Sequence, residues 1–447
     1  MKTMFFYDLE TTGLFPRSDR IMQFAGQRTD MNLEPIDDPI NTLVKLNDDT
    51  LPSPYAIKTT GITPQMTHAD GVTEAEFAKF LLAEVFTEDT IATGFNSIRF
   101  DDEFIRSLFW RNFHDAYEWH WHNGRSRWDI LDVVRMTRAL RPEGINWPVK
   151  EDGTETNRLE LITGLNGISH ESAHDALSDV NALIDVARLI RGRQPQLYEY
   201  LLKMRDKKLV AELVNLSDPK PIVYSSGAYA SEFHKTTVVF PIAPIQGGVL
   251  VYDLRHDFDT INREKLYPVV KELHFNKCPA VAVLEVLDKS DGWNKIGLSR
   301  EQIDANLQKL LAHPEFGEQM RERSESREFP KSPDAESALY DGFLDDPDRR
   351  RILEIPSLNR DQLADYHQNF DDPRLPELFI HYKARNFPSS LTADEQILWD
   401  TYRNARLVSQ SQTFLRDLES ISRDKSVDKF IIQELKLYYE SIMPFGD

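Results

Sequence analysis

The run FFYDLETTG, residues 5–13, places Asp8 and Glu10 at the end of an apolar segment that has the character of a buried strand. Side chains alternate between the two faces of a strand, so we expect both carboxylates to point the same way as Met4 and Phe6. Two charges about 4 Å apart at an effective dielectric near 20 repel by roughly 4 kcal/mol. A hard divalent cation such as Mg²⁺ or Mn²⁺ would relieve that repulsion. The alternative is a strand end that reaches solvent with both acids hydrated.

The chain has 447 residues, which is too long for one core and predicts two or three domains. Up to about residue 190, strand-like and helix-like segments alternate, as in an α/β domain. Short β-rich runs follow between about 220 and 290, including a predicted strand at 280–287. A charged stretch at 317–337 interrupts this pattern, and we expect a domain boundary near Pro330 to Pro333.

The remainder of the chain has an almost wholly helical pattern. Thr392 and Glu395 form a predicted capping box at the start of a helix over 393–407, and separate helices are predicted over 412–422 and 427–442. No internal repeat or low-complexity tract is evident in the sequence. The pattern therefore predicts an α/β part, then a β-rich part, then a helical part.

Composition limits the cellular setting. No run approaches the roughly 20 apolar residues that a membrane span needs, and the N-terminal apolar run is too short for a signal peptide. The lone cysteine, Cys278, cannot form an internal disulfide, which suits a reducing compartment, and we expect it in the core. We therefore expect a cytoplasmic protein with no membrane partner.

The formal net charge of −20 disfavours a polyanionic partner unless one groove is locally basic. Between Arg99 and Arg141 every basic side chain is an arginine, and the arginines are interleaved with nine aromatic residues. Such a mixture can hold phosphates and stack bases. The alternative is a pair of helices with an aromatic core side and a solvated arginine side, paired to Asp101, Asp102, Glu103, Asp129 and Asp132.

More acids occur downstream. Asp101 and Asp102 follow a strand-like segment at the start of a predicted helix, where helix capping is an alternative role for them. His174 and Asp179 are five positions apart, a step that rotates about 140° around a continuous helix. They can converge only if His174 lies in the loop before the helix and Asp179 lies on it. Otherwise His174 is a surface histidine and Asp179 a solvated helix position.

The ordered set DLETTG, FNSIRFD and HDALSD resembles the three motifs of the DEDDh exonuclease superfamily. The segments ITGITPQ, SRWDILDV, LRPEGINWP, NKCP, LYDGF and YKARNFP resemble bacterial exonuclease I over nearly the whole chain. The resemblance implies a ribonuclease H-like exonuclease domain at residues 1–192, an SH3-like β domain at 193–332 and an α-helical C-terminal domain at 333–447. In that family the domains surround a groove for single-stranded DNA.

The resemblance also implies site residues. The family's four acids fall on Asp8, Glu10, Asp101 and Asp179, and its general base falls on His174; Asp101 is preferred to Asp102 because it directly follows Phe100. We expect two Mg²⁺ ions, with Mn²⁺ able to substitute: Asp8 bridges both, Glu10 and Asp179 complete the first site, and Asp101 supports the second. The predicted substrate contacts are Glu10, Thr11, Thr12, Arg106 and Arg158.

The implied activity is hydrolysis of single-stranded DNA from the 3′ end to 5′-mononucleotides, in DNA repair and recombination. The implied protein partner is single-strand DNA-binding protein, whose acidic C-terminal tail would dock on Arg141, Tyr200 and Lys220, and we expect the chain to act as a monomer. Two alternatives are an RNA-trimming or proofreading nuclease and a binding scaffold with an inactive nuclease fold. Over half of the chain follows the catalytic motifs, which disfavours the first, and five candidate catalytic residues disfavour the second.

Overall fold

A computed structural model describes residues 2–170, 175–327, 330–366 and 369–444. Along the chain a mixed α/β part is followed by a second sheet and then by helices, in the order that the sequence predicts. A search of these four ranges finds no helix with the length and apolar character needed to cross a bilayer.

The first sheet holds the N-terminal motif on its central strand. Its strands are β1 (Thr3–Thr11), β2 (Ile21–Thr29), β3 (Ile40–Leu43), β4 (Thr90–Gly94) and β5 (Ser126–Asp129), in the order β3-β2-β1-β4-β5. β1 pairs antiparallel with β2 and parallel with β4, so both of its edges are hydrogen-bonded. The predicted alternation is confirmed: Met4 and Phe6 enter one hydrophobic cluster, and Phe5, Tyr7 and Leu9 enter another.

Helices cover both faces of this sheet. They are α1 (Pro54–Thr60), α2 (Pro64–Asp70), α3 (Glu74–Phe80), α4 (Asp101–Arg111), α5 (Ile130–Leu140), α6 (Leu159–Leu165) and α7 (Ala176–Arg193). α5 and α7 pack on the Met4 and Phe6 side, whereas α4 packs on the Tyr7 side. The acidic end of β1 therefore lies between helices that begin near it, α4 and α7.

The second sheet is wholly antiparallel. α8 (Pro195–Lys203) and α9 (Lys207–Leu213) lead to β6 (Ile222–Ser225), β7 (Thr236–Ile245), β8 (Gly248–Asp253), β9 (Val270–His274) and β10 (Ala280–Val283), in the order β10-β6-β7-β8-β9. The strand predicted over 280–287 is too long, because residues 284–288 turn into a 3₁₀ helix that buries Leu284 and Leu287.

The charged stretch is not an interruption of this region. After α10 (Gly292–Lys295) and α11 (Arg300–Leu311), its first residues belong to α12 (Phe316–Glu325), which packs on β7. Phe316 and Gly317 are buried, and a β-carbon at Gly317 would meet the Ile242 carbonyl oxygen at 2.2 Å. Only two residues, both at one end, are buried and anchor the helix. The rest of its sequence is mostly charged, so hydrophobic periodicity does not predict it.

The C-terminal region contains α13 (Asp346–Glu354), α14 (Arg360–Ala364), α15 (Leu375–Asn386), α16 (Ala393–Ser422) and α17 (Lys429–Ile442). The capping box at Thr392 and Glu395 is confirmed. The two helices predicted over 393–407 and 412–422 are one 30-residue helix, because no Pro or Gly lies between them and Leu407 and Phe414 pack into one cluster with α17.

A buried cluster of charges ties the C-terminal helices to the first sheet region. The guanidinium of Arg20 lies 2.7 Å from Glu336, and that of Arg385 lies 2.7 Å from Asp49. The backbone of Arg20 is hydrogen-bonded to Thr12, both through the Thr12 hydroxyl and through the Thr12 amide, each at 2.9 Å. The turn after β1 is therefore fixed by residues that the C-terminal region holds in place.

Candidate active site

The end of β1 presents two carboxylates on one face. Asp8 lies opposite Ala25 and Glu10 opposite Gln23 in the β1–β2 pair, and the register shifts between Glu10 and Thr11. Asp8 and Glu10 are half-buried. Because β2 pairs with β1 at both positions, the backbone holds both side chains in place up to the point where the register shifts.

α7 supplies a third carboxylate. The Asp175 side chain caps this helix by accepting the Ser178 amide, which places Asp179 in the first turn. Carboxylate oxygens of Asp8, Glu10 and Asp179 all lie within 4.8 Å of one another. Asp179 lies on the helix, which is one of the two conditions for His174 and Asp179 to converge. His174 lies outside the described residues.

The three acids raise one another's proton affinity. Burial, followed by the charge of Asp179, raises the pKa of Asp8 to about 8. Burial, followed by the charges of Asp8 and Asp179, raises the pKa of Glu10 to about 9. Clustered carboxylate oxygens are the donor set that hard divalent cations prefer, and a cation here would relieve the repulsion that these pKa values express. The residues therefore fit a divalent metal site.

The two adjacent aspartates at the start of α4 have different surroundings. Asp102 accepts a hydrogen bond from Tyr7 Oη and lies 2.6 Å from the Arg127 guanidinium, both fully buried contacts. Asp101 is 4 % exposed, and burial followed by the charge of Asp8 raises its pKa well above its ordinary value. Asp101 thus lies within the influence of the Asp8 charge, although it is not one of the three acids whose oxygens lie within 4.8 Å of one another, while Asp102 is neutralised by Arg127.

The turn that follows Glu10 is held tightly. The Thr11 hydroxyl donates to the Gly13 carbonyl at 2.7 Å, and the buried Thr12 hydroxyl accepts the Arg20 amide. A β-carbon at Gly13 would meet a carboxylate oxygen of Asp19 at 2.4 Å, so a larger residue there would displace this carboxylate from the Phe15 amide. Both threonine side chains have partners, and so do the amide and the carbonyl of Thr12, which bond to Arg20 and Ser53, so this turn is rigid.

A cavity of 1130 Å³ opens beside the acidic cluster. Glu10 and Thr11 line it together with the exposed side chains of Leu14 and Phe15, and α16 forms the opposite wall. Asp19, Asp334 and Asp417 add negative charge to the lining. The cavity therefore suits an uncharged planar group better than a phosphate.

A histidine with no role predicted from the sequence lies against the cluster. His170 Nε2 is 2.5 Å from Asp179 Oδ1, and His170 Nδ1 is 3.2 Å from the Thr163 hydroxyl. In the sequence this histidine belongs to a polar run that has the composition of a loop. No local pattern shows that the loop folds back onto Asp179.

The arginine and aromatic region fits neither interpretation completely. Its large aromatic side chains are mostly core, including Phe109, Trp119 and Trp128. Several arginines are not solvated: Arg111 pairs with Glu74 at 2.7 Å, and Arg127 pairs with Asp102. These arginines neutralise buried acids, so they are part of the fold.

One arginine of this region, Arg99, faces a basic pocket next to the second sheet. Arg99 lines a 640 Å³ cavity with Lys271, Lys277 and Arg323. Burial and the nearby charge of Arg99 lower the pKa of Lys271 to about 8, and its ammonium lies 4.7 Å from the centre of the Tyr224 ring. A desolvated ammonium among other cations is a strong attractor for an anion.

Arg106 lies beside an aromatic group. Its guanidinium lies 5.5 Å from the centre of the Tyr117 ring and contacts Glu103 at 2.6 Å and Tyr340 Oη at 3.4 Å. Phe343, 74 % exposed, has its ring centre 6.3 Å from that of Tyr117. Side chains from α4 and from the segment before α13 therefore share one partly exposed surface.

The remaining predicted contacts lie elsewhere. Arg158 is 63 % exposed, contacts Glu160 and lines a cavity with Arg135 and Lys235. The three predicted partner-binding residues each lie near a residue of the segment 281–286. Arg141 donates to the Val286 carbonyl at 3.3 Å, Tyr200 donates to the Val281 carbonyl at 3.1 Å, and the pKa of Lys220 is raised by Asp218 and, less, by Glu285.

Comparison with protein families gives matches along the chain. The model described as "Exonuclease" matches residues 5–187, the Exonuclease I SH3-like domain matches 205–267 and 259–325, and the Exonuclease I C-terminal domain matches 333–442. The predicted fold, an exonuclease domain followed by an SH3-like domain and a helical C-terminal domain, is confirmed. The boundaries at 192 and 332 stay predictions.

Full-length relatives and solved structures agree with these matches. Exodeoxyribonuclease I of Haemophilus influenzae is 38% identical, over 98% of both chains, and that of Escherichia coli is 36% identical, over 98% of this chain and 97% of the relative. E. coli exonuclease I in complex with a dA16 oligonucleotide superposes with a TM-score of 0.92 at 35% identity, over 99% of this chain and 100% of the other. A structure of single-strand DNA-binding protein (SSB) with exonuclease I and an inhibitor gives 0.91 at 36% identity, over 99% and 100%.

Proposed function

The chain belongs to the exodeoxyribonuclease I family and is an exonuclease of single-stranded DNA, and we propose that it hydrolyses the strand from the 3′ end to 5′-mononucleotides, in DNA repair and recombination. The observation that carries the proposal is the acidic cluster at the end of β1, with oxygens of Asp8, Glu10 and Asp179 within 4.8 Å and Asp101 coupled to Asp8. Such a cluster is costly for folding unless it binds cations.

The cations we propose are Mg²⁺, two per site, with Mn²⁺ as a substitute. Bound divalent ions supply positive charge that offsets the repulsion between a phosphodiester and an attacking hydroxide. Glu10 and Asp179 would hold the first ion with Asp8, and Asp101 would hold the second with Asp8. His174 keeps its predicted role of accepting the proton from the attacking water.

The surface near this site favours single-stranded over duplex DNA. The basic pocket around Arg99 and Lys271 suits backbone phosphates, and Tyr117, Tyr340 and Phe343 offer faces on which unpaired bases can stack. Stacking needs splayed bases, which a duplex does not offer. Arg106, beside these rings, keeps its predicted role as a substrate contact.

The cavity next to Glu10 favours hydrolysis from the 3′ end of the strand. Its apolar rim of Leu14 and Phe15 and its acidic lining accept a nucleobase and repel a phosphate. A terminal base seated there would leave the last phosphodiester over the acidic cluster. The backbone of Thr11 and Thr12 would then contact the terminal nucleotide.

Docking of SSB is a further part of the proposal. Arg141, Tyr200 and Lys220 lie near the segment 281–286, and two of them are cationic. An acidic peptide with an apolar end would find both charge and aromatic surface there. The chain would act on DNA as a monomer in the cytoplasm.

The test is a substrate panel. Single-stranded DNA, duplex DNA and RNA of one sequence, labelled at either end, are incubated with Mg²⁺ or with EDTA. We expect Mg²⁺-dependent loss of the 3′ label first, as a mononucleotide, from single-stranded DNA alone. Faster degradation of RNA would favour an RNA-trimming nuclease, and binding without hydrolysis would favour a scaffold.

A further inference from the structure

His170 is held on two sides by described residues. It follows α6, its side chain is 5 % exposed, and its two ring nitrogens contact Asp179 at 2.5 Å and Thr163 at 3.2 Å. Thr163 is fully buried within α6, and the Ile168 amide donates to its carbonyl at 3.0 Å, which ties the following loop to the helix. The imidazole is therefore fixed in position before any ligand arrives.

In the contact between His170 and Asp179, the imidazole is the donor and the carboxylate is the acceptor. An ionised carboxylate only accepts, so His170 Nε2 carries a hydrogen and donates it to Asp179. The Thr163 hydroxyl donates its hydrogen to the Glu160 carbonyl at 3.0 Å, so with that bond kept it accepts from Nδ1. The donated bond fixes one oxygen of Asp179, and with it the rotation of the carboxylate toward Asp8 and Glu10.

We propose that His170 is a positioning residue for the metal site: by donating to Asp179 Oδ1, with Thr163 behind it, it holds that carboxylate in the orientation that binds the cation. This inference rests on the proposed metal-dependent nuclease function and adds a residue to it. Groups that orient a metal-binding carboxylate typically change metal affinity 10- to 100-fold when they are removed. His170 does not contact the reacting atoms and differs in this from the predicted base, His174.

The experiment measures metal binding without substrate. Mn²⁺ is titrated into the metal-free full chain, and free Mn²⁺ is followed by its electron paramagnetic resonance signal. H170L removes the donor, and H170Q keeps an N–H at a similar distance along the side chain. We expect H170L to weaken Mn²⁺ binding at least 10-fold and H170Q to stay within about threefold of wild type. T163V keeps the imidazole but loses its support, and should give an intermediate loss.

H114L is the matched control, because His114 is a partly buried histidine whose Nε2 has no hydrogen-bond partner among the described residues. It should bind Mn²⁺ as wild type does. Unchanged Mn²⁺ affinity in H170L and T163V, with both variants folded by circular dichroism, would overturn the proposal, as would equal losses in H170L and H170Q. Wild type that binds Mn²⁺ but degrades no nucleic acid would instead contradict the proposed function alone.

Discussion

At the scale of single residues, surroundings assign different roles to neighbouring side chains. Asp101 and Asp102 are adjacent at the start of α4, and both are almost fully buried. Asp102 is paired with Arg127, whereas Asp101 faces the charge of Asp8. Removing Asp102 would leave Arg127 buried without a partner, whereas ionised Asp101 opposes folding unless a cation binds it.

The adjacent pair gives a matched experiment. D101N should lower Mg²⁺-dependent nuclease activity about 100-fold or more, since several kcal/mol of charge stabilisation is at stake. Its melting temperature should be unchanged or higher, because the raised pKa of Asp101 means that its charge opposes folding. D102N leaves Arg127 buried without its charge partner and should cost about 3–5 kcal/mol of stability. Equal stability losses in the two variants, measured by urea unfolding, would contradict this division.

The raised pKa values of Asp8 and Glu10 predict how stability depends on pH without metal. Both carboxyls hold a proton in the folded chain up to pH values of about 8 and 9, whereas in the unfolded chain they release it near pH 4. The folded state thus binds more protons between these limits, and its stability falls as pH rises through them.

In EDTA, the melting temperature should therefore decline as pH rises from 5 to 9, beyond the change seen in a D8N/E10Q variant. Added Mn²⁺ should cancel most of the decline, since the cation replaces the protons. A parallel pH profile for wild type and variant would show that the acidic cluster does not control this stability.

At the scale of elements, the long helix α16 connects the C-terminal region to the rest of the chain. Its first turn is closed by a reciprocal capping box between Thr392 and Glu395, and its buried stripe, including Leu407 and Phe414, packs against α1 and α17. Glu395 also accepts from Lys383 of α15 at 2.6 Å. The helix start is thus fixed locally by the cap and globally by a neighbouring helix.

The cap is tested with two threonines of α16. T392A removes the hydroxyl that accepts the Glu395 amide and should lower the free energy of unfolding by about 1 kcal/mol. T401A, in the exposed middle of the same helix, removes a hydroxyl that bonds only the preceding turn and should change it by less than about 0.5 kcal/mol. Chemical denaturation of both variants compares them directly, and a larger effect at Thr401 would contradict the capping argument.

At the scale of the whole molecule, the net charge of −20 conceals a separation of charge. Basic side chains gather where the first and second sheets meet, around Arg99, Lys271 and Lys277. Several arginines elsewhere form ion pairs with buried acids, as Arg20 and Arg385 do with Glu336 and Asp49. An acidic body with one basic surface can still bind a polyanion, provided that the salt concentration is low enough.

Binding to a single-stranded oligonucleotide in EDTA should weaken steeply as salt is added. Replacing one phosphate-contacting cation, in K271Q, should reduce the slope of log affinity against log salt by about 1. K436Q, on the exposed surface of α17, is the control and should leave the slope unchanged. Fluorescence anisotropy across a salt series measures both, and identical slopes for the two variants would exclude Lys271 from the DNA surface.

The local sequence determined a large part of this protein. Alternation along β1 fixed the shared face of Asp8 and Glu10, Thr392 with Glu395 fixed the start of α16, and the order of motifs identified the family. These features depend on residues a few positions apart or on the order of short motifs along the chain. Hydrophobic periodicity does not predict helices that bury few residues, such as α12, in which two residues at one end are buried.

Only the tertiary structure decided which acids meet and which arginines are available. Asp179 joins Asp8 and Glu10 across about 170 residues, Arg127 is taken by Asp102, and His170 folds back onto Asp179. Each of these pairings depends on a distance through space and on loss of water around the charge. Neither quantity is encoded in the spacing of residues along the chain, so the site emerges only when the sheet and its helices are packed together.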